Sequence, residues 1–336
     1  MTARKGFGRA GEPADTAHPD ILYLTRSEVE ALGLTAAETV DQIEHLCRER
    51  DASRVLNAPK SLVRPVDEVL FMTTLAVSED PPYAAVKALG VNAANAHRGM
   101  DTIGSTVTLF DRATAYPVAV MDGTWITEVR TAALSTVAAK HFARRGSEII
   151  AFIGSGAQAR SHLDAFLDLF PLREVRVFGR GQANREALCR KAEGLGLSAV
   201  DCVEPCAAIA GADIIVSSVP QASGLEPFLE TGWVKPGAYV NLIDLARTWR
   251  PETLEQFDRV VIEDAAQEAT MTPQMIPAAL IGEDLLDLVT GRIPGRTRET
   301  ERIAFIFRGL AIGDLALAIL VYERARAAGA GRALPS

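Results

Sequence analysis

Ile150-Ala151-Phe152-Ile153 runs into Gly154-Ser155-Gly156-Ala157-Gln158-Ala159 and then into an amphipathic stretch. The pattern is G-x-G-x-x-A at a strand-to-helix junction. Its first glycine permits a tight turn. The second lets backbone N–H groups approach a pyrophosphate, and the small third residue lets helix and strand pack closely. The helix N-terminus then faces the anion with its partial positive charge. A bare glycine triplet is a weak signal, but here it opens a βαβ series, the context that gives it meaning. The chemistry is dinucleotide binding, with Gly154, Ser155, Gly156, Ala157 and Gln158 as the phosphate loop.

The next strand ends Val177-Phe178-Gly179-Arg180, followed by Gly181-Gln182-Ala183-Asn184-Arg185. An NAD-selective site places Asp or Glu at this strand end, to accept from the ribose 2′-OH. Gly179 stands there instead, with Arg180 and Arg185 beside it. Guanidinium groups suit a 2′-phosphate, so the pattern favours NADP(H), with NAD(H) possible; surface arginines that merely meet solvent are the bland alternative. Ser217-Ser218-Val219-Pro220 closes the fourth strand, where a dinucleotide passes, which adds Ser218 and Val219 to the cofactor contacts. Lys87 sits inside the apolar run Tyr83-Ala84-Ala85-Val86-Lys87-Ala88-Leu89. A lysine so placed is costly without a partner, which points to an anion or to a carbonyl or imine it polarises.

Composition limits the remaining possibilities. At roughly 100–200 residues per domain, 336 residues imply two domains, and 48% hydrophobic with 23% charged residues is ordinary for a soluble globular chain. With 35 basic against 43 acidic residues the net charge is −8, and without a basic patch nucleic acid is not an expected partner. Four cysteines are too few for a disulfide scaffold. Five histidines, none in an H-x-x-x-H arrangement, leave no expected metal site. Cys202-x-x-x-Cys206 lacks further ligands nearby and reads as structural cysteines rather than zinc ligands. His97 reads as a solvated loop histidine. Residues 1–20 read as a polar tail, not a signal peptide. The apolar run Gly309–Tyr322 is short of the roughly 18 residues of a membrane span and contains Asp314, so a buried helix is expected. A cytoplasmic protein follows from these readings.

The elements that position these residues fall into two patterns. Thr25-Arg26-Ser27-Glu28 marks a helix start, and a helix is expected over Ala36–Arg50. Strand-like runs follow at Ser61–Val66, Val69–Leu75, Ala84–Gly90 and Ser105–Asp111, then an alanine-rich helix over Ile126–Phe142. From Glu148 apolar runs alternate with helical segments: Ile149–Ile153, Val175–Phe178, Ala199–Val203, Ile214–Ser217, Tyr239–Ile243 and Val260–Glu263. Near-continuous apolar strands joined by crossovers mean a parallel sheet covered on both faces. The expected fold class is therefore α/β, with a Rossmann-type doubly wound parallel sheet over 144–303. A mixed α+β domain for substrate and dimer contacts takes 21–143 and 304–336, completed by a C-terminal helix from Phe305 to Ala328.

The set Pro59-Lys60, Lys87 with Asn95 and Gly99, Thr102, Arg130-Thr131-Ala132-Ala133, Gly154-Ser155-Gly156-Ala157-Gln158, Trp233-Val234-Lys235-Pro236-Gly237-Ala238, Gly295-Arg296-Thr297 and Gly309-Leu310-Ala311-Ile312-Gly313-Asp314-Leu315-Ala316 resembles the ornithine cyclodeaminase/μ-crystallin family from Ile21 to the C-terminus. The resemblance implies a homodimer that holds NAD(H) or NADP(H) and acts on a small α-amino or α-imino acid. It implies that Lys60, Met72, Lys87 and Arg130 surround the substrate. Thr102, Arg130, Thr131 and Gly309 fall on family positions near the cofactor. Asp314 also matches, as a carboxylate that orients the nicotinamide side or a water, or simply caps polar neighbours.

Two departures stand out. Leu70 replaces an arginine that many amino-acid-active members carry two residues before Met72. In Asn241-Leu242-Ile243-Asp244-Leu245-Ala246-Arg247, Ala246 occupies the slot of the cyclodeaminases' catalytic Asp. Strand alternation would put Asp244 on the same face, roughly 6.5–7 Å away at ~3.3 Å per residue, as an alternative catalytic group. The expected activity is NAD(P)H-dependent reduction of a small α-imino acid or cyclic ketimine, with Lys87, Asp244 and Asp314 as catalytic groups. The alternatives are a redox-neutral ornithine or lysine cyclodeaminase or amino acid conjugate synthase, and a non-catalytic crystallin-like binder of NADPH.

Overall fold

A computed structural model describes residues 20–335 apart from Glu68 and residues 221–223. The expected tail, save Asp20, lies outside the described residues. The first domain begins with β1 (Ile21–Leu24), α1 (Arg26–Ala31) and α2 (Ala36–Asp51). Thr25 and Thr35 each close a capping box, with Glu28 and Glu38 returning a carboxylate to the cap N–H, so both helices start where the sequence marks them. Strands β2 (Val55–Asn57), β3 (Ser61–Val66), β4 (Val69–Ser78), β5 (Tyr83–Asn92), β6 (Ile103–Asp111) and β7 (Pro117–Asp122) then lead to α3 (Gly123–Phe142). Asp122 caps α3 by accepting from the Trp125 N–H at 2.7 Å.

The second domain opens with β8 (Ile149–Ile153) and α4 (Ala157–Leu167), then β9 (Glu174–Phe178), α5 (Gln182–Gly194) and β10 (Ser198–Asp201). It continues through α6 (Pro205–Ile209), β11 (Ile214–Ser217), β12 (Tyr239–Leu242), β13 (Arg259–Ile262) and α7 (Ala265–Thr270). The chain then passes β14 (Glu283–Asp284), α8 (Leu285–Val289) and β15 (Ile303–Ile306), and returns to the first domain as α9 (Ala311–Ala328) and β16 (Arg332–Leu334).

Two eight-stranded sheets result. The first runs β16-β1-β7-β6-β5-β4-β2 with β3 on β4, mainly antiparallel, with β1 and β7 parallel. The second is parallel throughout, in the order β10-β9-β8-β11-β12-β15-β13-β14. Its first five strands follow the Rossmann order, and the order reverses between β8 and β11, the switch point outside which ligands bind.

One expected element differs. The helix expected from Phe305 begins only at Ala311, because Ile303–Ile306 is a fully buried strand between β12 and β13. The boundary expected at 303/304 therefore falls inside a strand. A four-residue apolar run cannot be told from the start of a buried helix by periodicity. The cysteines are free, with Cys202 buried and Cys206 exposed.

Helices α3 and α9 are apolar on nearly every side and are accordingly buried. They pack against each other and against the first sheet. Their approach needs Gly313, where a Cβ would lie 3.1 Å from Leu134 Cδ1 and 3.3 Å from Arg130 Cδ. Helix α3 also packs on α4, tying the two domains together.

A buried polar chain crosses that junction. His162 Nδ1 donates to the Gln158 carbonyl at 2.7 Å. Its Nε2 lies 2.8 Å from Ser135 Oγ, which also accepts from Asn241 Nδ2 at 2.7 Å. With Nδ1 donating, Nε2 of the neutral ring is left as an acceptor facing the Ser135 hydroxyl, whose single proton also has the Thr131 carbonyl within 3.0 Å. Burial favours this neutral form and pushes the His162 pKa down to about 4 from its usual 6.5. A histidine pKa lowered on folding means that the unfolded chain binds the proton more tightly. Its contribution to stability is complete above pH 6.5 and is lost as pH falls towards 4, by up to about 3 kcal/mol. Urea unfolding of the His162→Asn variant is therefore expected to show a flatter dependence of stability on pH across this window than the wild type. An unchanged dependence would show that His162 does not carry it.

Candidate active site

The site assembles where the C-terminal ends of the parallel strands meet α3, α9 and the inner face of β4–β5. Asp314, in the first turn of α9, is its centre. Lys87 Nζ on β5 donates to Asp314 Oδ1 at 2.6 Å, and Thr74 Oγ1 on β4 donates to Oδ2 at 2.8 Å. Thr74 and Lys87 are directly paired in the β4–β5 register, so both point to the same face. Arg130 Nε on α3 lies 3.0 Å from Asp314 Oδ1, yet neither Nε nor Nη1 makes a hydrogen bond among the described residues. Lys60 Nζ donates to the Arg308 carbonyl at 2.8 Å, on the segment that leads into α9.

Lys87 and Arg130 thus share one carboxylate inside the protein, with the partly buried Lys60 near by. Lys87 is completely buried. Burial and the neighbouring Arg130 and Lys60 charges disfavour its ammonium form more than Asp314 supports it, bringing its pKa down to about 7. Lys60 is lowered to about 8, chiefly by burial. Asp314 moves the other way from a buried acid. Lys87 and Arg130 outweigh desolvation and hold its carboxyl below the usual carboxylate range. Burying a charge without such partners is expensive, and here the partners are mutual.

Gly309 makes room for this arrangement. Its φ is +100°, and a Cβ there would lie 2.8 Å from Arg130 Nη1. A side chain at 309 would be strained in its backbone and would displace the guanidinium.

Glu263 was not singled out in the sequence. It follows the β13 strand, is 1% exposed, accepts from the Arg308 N–H at 2.7 Å, and leaves Oε2 without a partner among the described residues. Burial raises its pKa to about 7 against the opposing Lys60 charge. The available signal was its place at a parallel-strand C-terminus, where such sheets bind ligands. Thr74 was missed because a threonine in a strand is otherwise ordinary.

Met72 lies two residues from Thr74 on β4, partly buried, and lines a shallow cavity of about 440 Å³ on this sheet. Asp244 does not lie on a strand. β12 ends at Leu242, and the chain then turns through left-handed Leu245 (φ 61°) and Ala246 (φ 58°), so the expected strand alternation does not hold. Both Asp244 oxygens are taken, Oδ1 by Ser217 Oγ at 3.1 Å and Oδ2 by Thr248 Oγ1 at 2.7 Å. Burial raises its pKa to about 6 despite these bonds. This carboxyl ties the ends of β11 and β12 together rather than facing Lys87 and Arg130.

The glycine loop has the shape a pyrophosphate needs. Gly154 (φ +98°) packs against Ser218, whose carbonyl a Cβ would meet at 2.9 Å, whereas Gly156 has open space at its Cβ position. Helix α4 has no side-chain N-cap, and Ser218 Oγ and Gln158 Oε1 are buried without partners among the described residues. Ser155 is buried against Gly179, and Ala157 opens α4. Val219 follows Ser218 beyond β11, and its backbone N–H favours the ionised form of Asp244. Thr131 Oγ1 is engaged within α3, donating to the Thr127 carbonyl at 2.7 Å. Thr102 closes the β5–β6 connection through its carbonyl, which accepts from Asn92 N–H at 2.8 Å. No hydrogen bond among the described residues joins either threonine to the glycine loop. Arg185 is not free: it pairs with Asp201 at 2.7 Å and donates to the Gly179 carbonyl at 2.7 Å. Arg180 is exposed and makes no ion pair among the described residues.

A glycine-looped, doubly wound parallel sheet closed over by a second domain defines a Rossmann-type α/β protein. The chain belongs to the ornithine cyclodeaminase/mu-crystallin family, whose sequence model matches residues 20–329. It is 34% identical over 223 residues to ketimine reductase mu-crystallin of Rattus norvegicus, across 65% of this chain and 69% of that protein. Among solved structures, Δ1-pyrroline-2-carboxylate reductase of Thermococcus litoralis in complex with NADH and L-proline superposes with a TM-score of 0.85. It is 26% identical, covering 94% of this chain and 100% of that one. An archaeal alanine dehydrogenase dimer with bound NAD has a TM-score of 0.83 and 26% identity, with 94% of this chain and 99% of that one covered. No helix among the described residues is long and apolar enough to cross a membrane.

Proposed function

We propose that this protein is a nicotinamide-dependent reductase of a small α-imino acid or cyclic ketimine, working in reverse as an amino acid dehydrogenase. The observation that carries this reading is Arg130. Its guanidinium is buried and ion-paired with Asp314, and its Nε and Nη1 make no hydrogen bond among the described residues. Buried donors left open cost free energy unless a ligand takes them, and a planar carboxylate suits a guanidinium fork. Lys60 adds a second cation on the same side. The relatives support the reaction class, since the most similar ones named above are reductases and dehydrogenases of imino and amino acids.

The glycine loop, Ser218 and Gln158 would hold the dinucleotide. When bound, the reduced nicotinamide supplies a hydride to the α-carbon. The C=N π pair then moves to nitrogen, which takes one proton. Lys87 would give that proton: its pKa near 7 supports a group populated as both ammonium and amine near neutrality, and Asp314 accepts from one of its N–H bonds. Arg130 and Lys60 hold the carboxylate so that the imine carbon is presented in one orientation.

Screening pyrroline-2-carboxylate, piperideine-2-carboxylate, iminosuccinate and pyruvate with amines, by loss of the reduced-nicotinamide absorbance, tests the reading; no turnover with any of them would remove it. Arg130→Met is expected to lower kcat/KM at least a hundredfold while NADPH still binds within a few-fold. Retained turnover would take Arg130 out of the site.

NADP(H) is the favoured cofactor, because Gly179 rather than a carboxylate stands at the end of β9 and Arg180 beside it makes no ion pair among the described residues. Arg180→Ala is expected to raise the Kd for NADPH about tenfold and to leave NADH nearly unaffected, by fluorescence titration. Equal losses for both cofactors would overturn the assignment.

A second copy of the chain would cover the outer face of the first sheet, where Val63 is 64% and Phe71 56% exposed. Large apolar side chains standing together on a sheet face mark an interface. Analytical ultracentrifugation is expected to give a dimer that Phe71→Glu converts to monomer; a wild-type monomer would exclude it.

A further inference from the structure

Beyond β12 the chain does something a relaxed backbone avoids. Leu245 and Ala246, neither of them glycine, both take left-handed conformations, with φ of 61° and 58°. Each costs roughly 1 kcal/mol or more, and the surroundings must impose it. They are imposed by Asp244, whose carboxylate is held by Ser217 and Thr248 and whose carbonyl accepts from the Arg247 N–H at 3.2 Å. The result is a cavity of about 310 Å³ walled by Leu225, Leu245, Ala246, Trp249 and Met275, with Arg247 in its lining.

Arg247 is half-buried and makes no side-chain hydrogen bond or ion pair among the described residues. Burial and the like charges of Arg308 and Arg64 bear against its cation, with only Asp244 opposing. Neither neighbour needs it. Arg308 is already held by Glu268 through bonds of 2.9 and 3.1 Å, and Arg64 donates to the Asp67 carbonyl. Asp244 has both oxygens occupied.

The cavity is joined to the substrate cations by hydrogen bonds. The Met275 N–H donates to Glu268, Glu268 clamps the Arg308 side chain, and the Arg308 carbonyl accepts from Lys60. Arg308 and Glu268 thus lie between Lys60 and the cavity edge at Met275, which sets the Arg247 guanidinium, without an ion pair among the described residues, on the same side of the molecule as Lys60.

We propose that Arg247 is a specificity-determining residue that receives a second carboxylate of the substrate. The preferred substrate is then the imine of a dicarboxylic 2-oxo acid with a short aliphatic arm, rather than a five- or six-membered cyclic ketimine. This rests on the reading of the site as an imino acid reductase. The apolar wall accommodates methylene groups, and the guanidinium offers a bidentate partner to the terminal carboxylate. A lysine or an amide would not reproduce that fork.

Two measurements test it, one of which does not depend on turnover. First, glutarate binding to the NADPH complex is followed by calorimetry. The wild type is expected to bind it, and Arg247→Gln to raise its Kd at least tenfold, while Arg250→Ala, an exposed residue paired with Glu230 at 3.2 Å, does not. Second, reduction is compared for 2-oxoglutarate and 2-oxovalerate, each with ammonium. The wild type is expected to favour the dicarboxylate in kcat/KM by tenfold or more, and Arg247→Gln to abolish that ratio chiefly through KM. NADPH affinity should stay within twofold in both variants, which separates a substrate role from a cofactor role. No glutarate binding by the wild type, equal use of the two acids, or a ratio unchanged in Arg247→Gln would overturn the assignment. Glutarate binding that depends on Arg247 without reduction of any imine would uphold this pocket and overturn the reductase reading instead.

Discussion

The pairing of Asp314 with Lys87 and Arg130 is the constraint to which the other parts of this molecule conform. One carboxylate on α9 is shared by a lysine from β5 and an arginine from α3, with Thr74 on its other oxygen. Each group alone would be prohibitive where it lies. Together they require α9 to return from the parallel sheet and seat itself against the first one. Gly309 and Gly313 exist to let Arg130 lie against that helix. The cluster therefore does two things: it stabilises the packing of α3, α9 and the first sheet, and it leaves, in the same guanidinium, N–H groups without hydrogen-bond partners among the described residues.

Much of this was legible in the residues. The glycine loop announced a tight strand-to-helix turn with an open helix N-terminus, because glycine spacing there reflects backbone approach and not side-chain chemistry. Lys87 declared itself by standing in an apolar run. Asp314 did so by interrupting a helix otherwise fit for burial. Local signals sufficed wherever a residue violated its own surroundings.

What was not legible depended on contacts distant in sequence or on backbone conformation. Ile303–Ile306 is four apolar residues, and only its pairing with β12 and β13 makes it a strand. Asp244 was expected on a strand face because alternation was extended past Leu242; the left-handed pair Leu245–Ala246 bears no sequence mark, since neither is glycine or asparagine. Arg185 looked like a phosphate ligand until Asp201, sixteen residues on, was seen to hold it. Glu263 was hidden in the opposite way, at the end of an apolar strand whose C-terminus becomes significant only when the sheet is assembled.

The chain crosses between its two domains twice, once from α3 into β8 and once from β15 into α9. The second crossing is gripped from both sides: Lys60 holds the Arg308 carbonyl, Glu263 holds its N–H, and Gln267 reaches the Gly309 carbonyl. Two covalent crossings act as a pair of pins. They forbid the free swivel that a single linker would allow and leave one axis, through both, about which the domains can part. Any opening of the cleft must therefore work against the peptide that separates Lys60 from Glu263, so the same charged groups that line the candidate site also stiffen the joint between the domains.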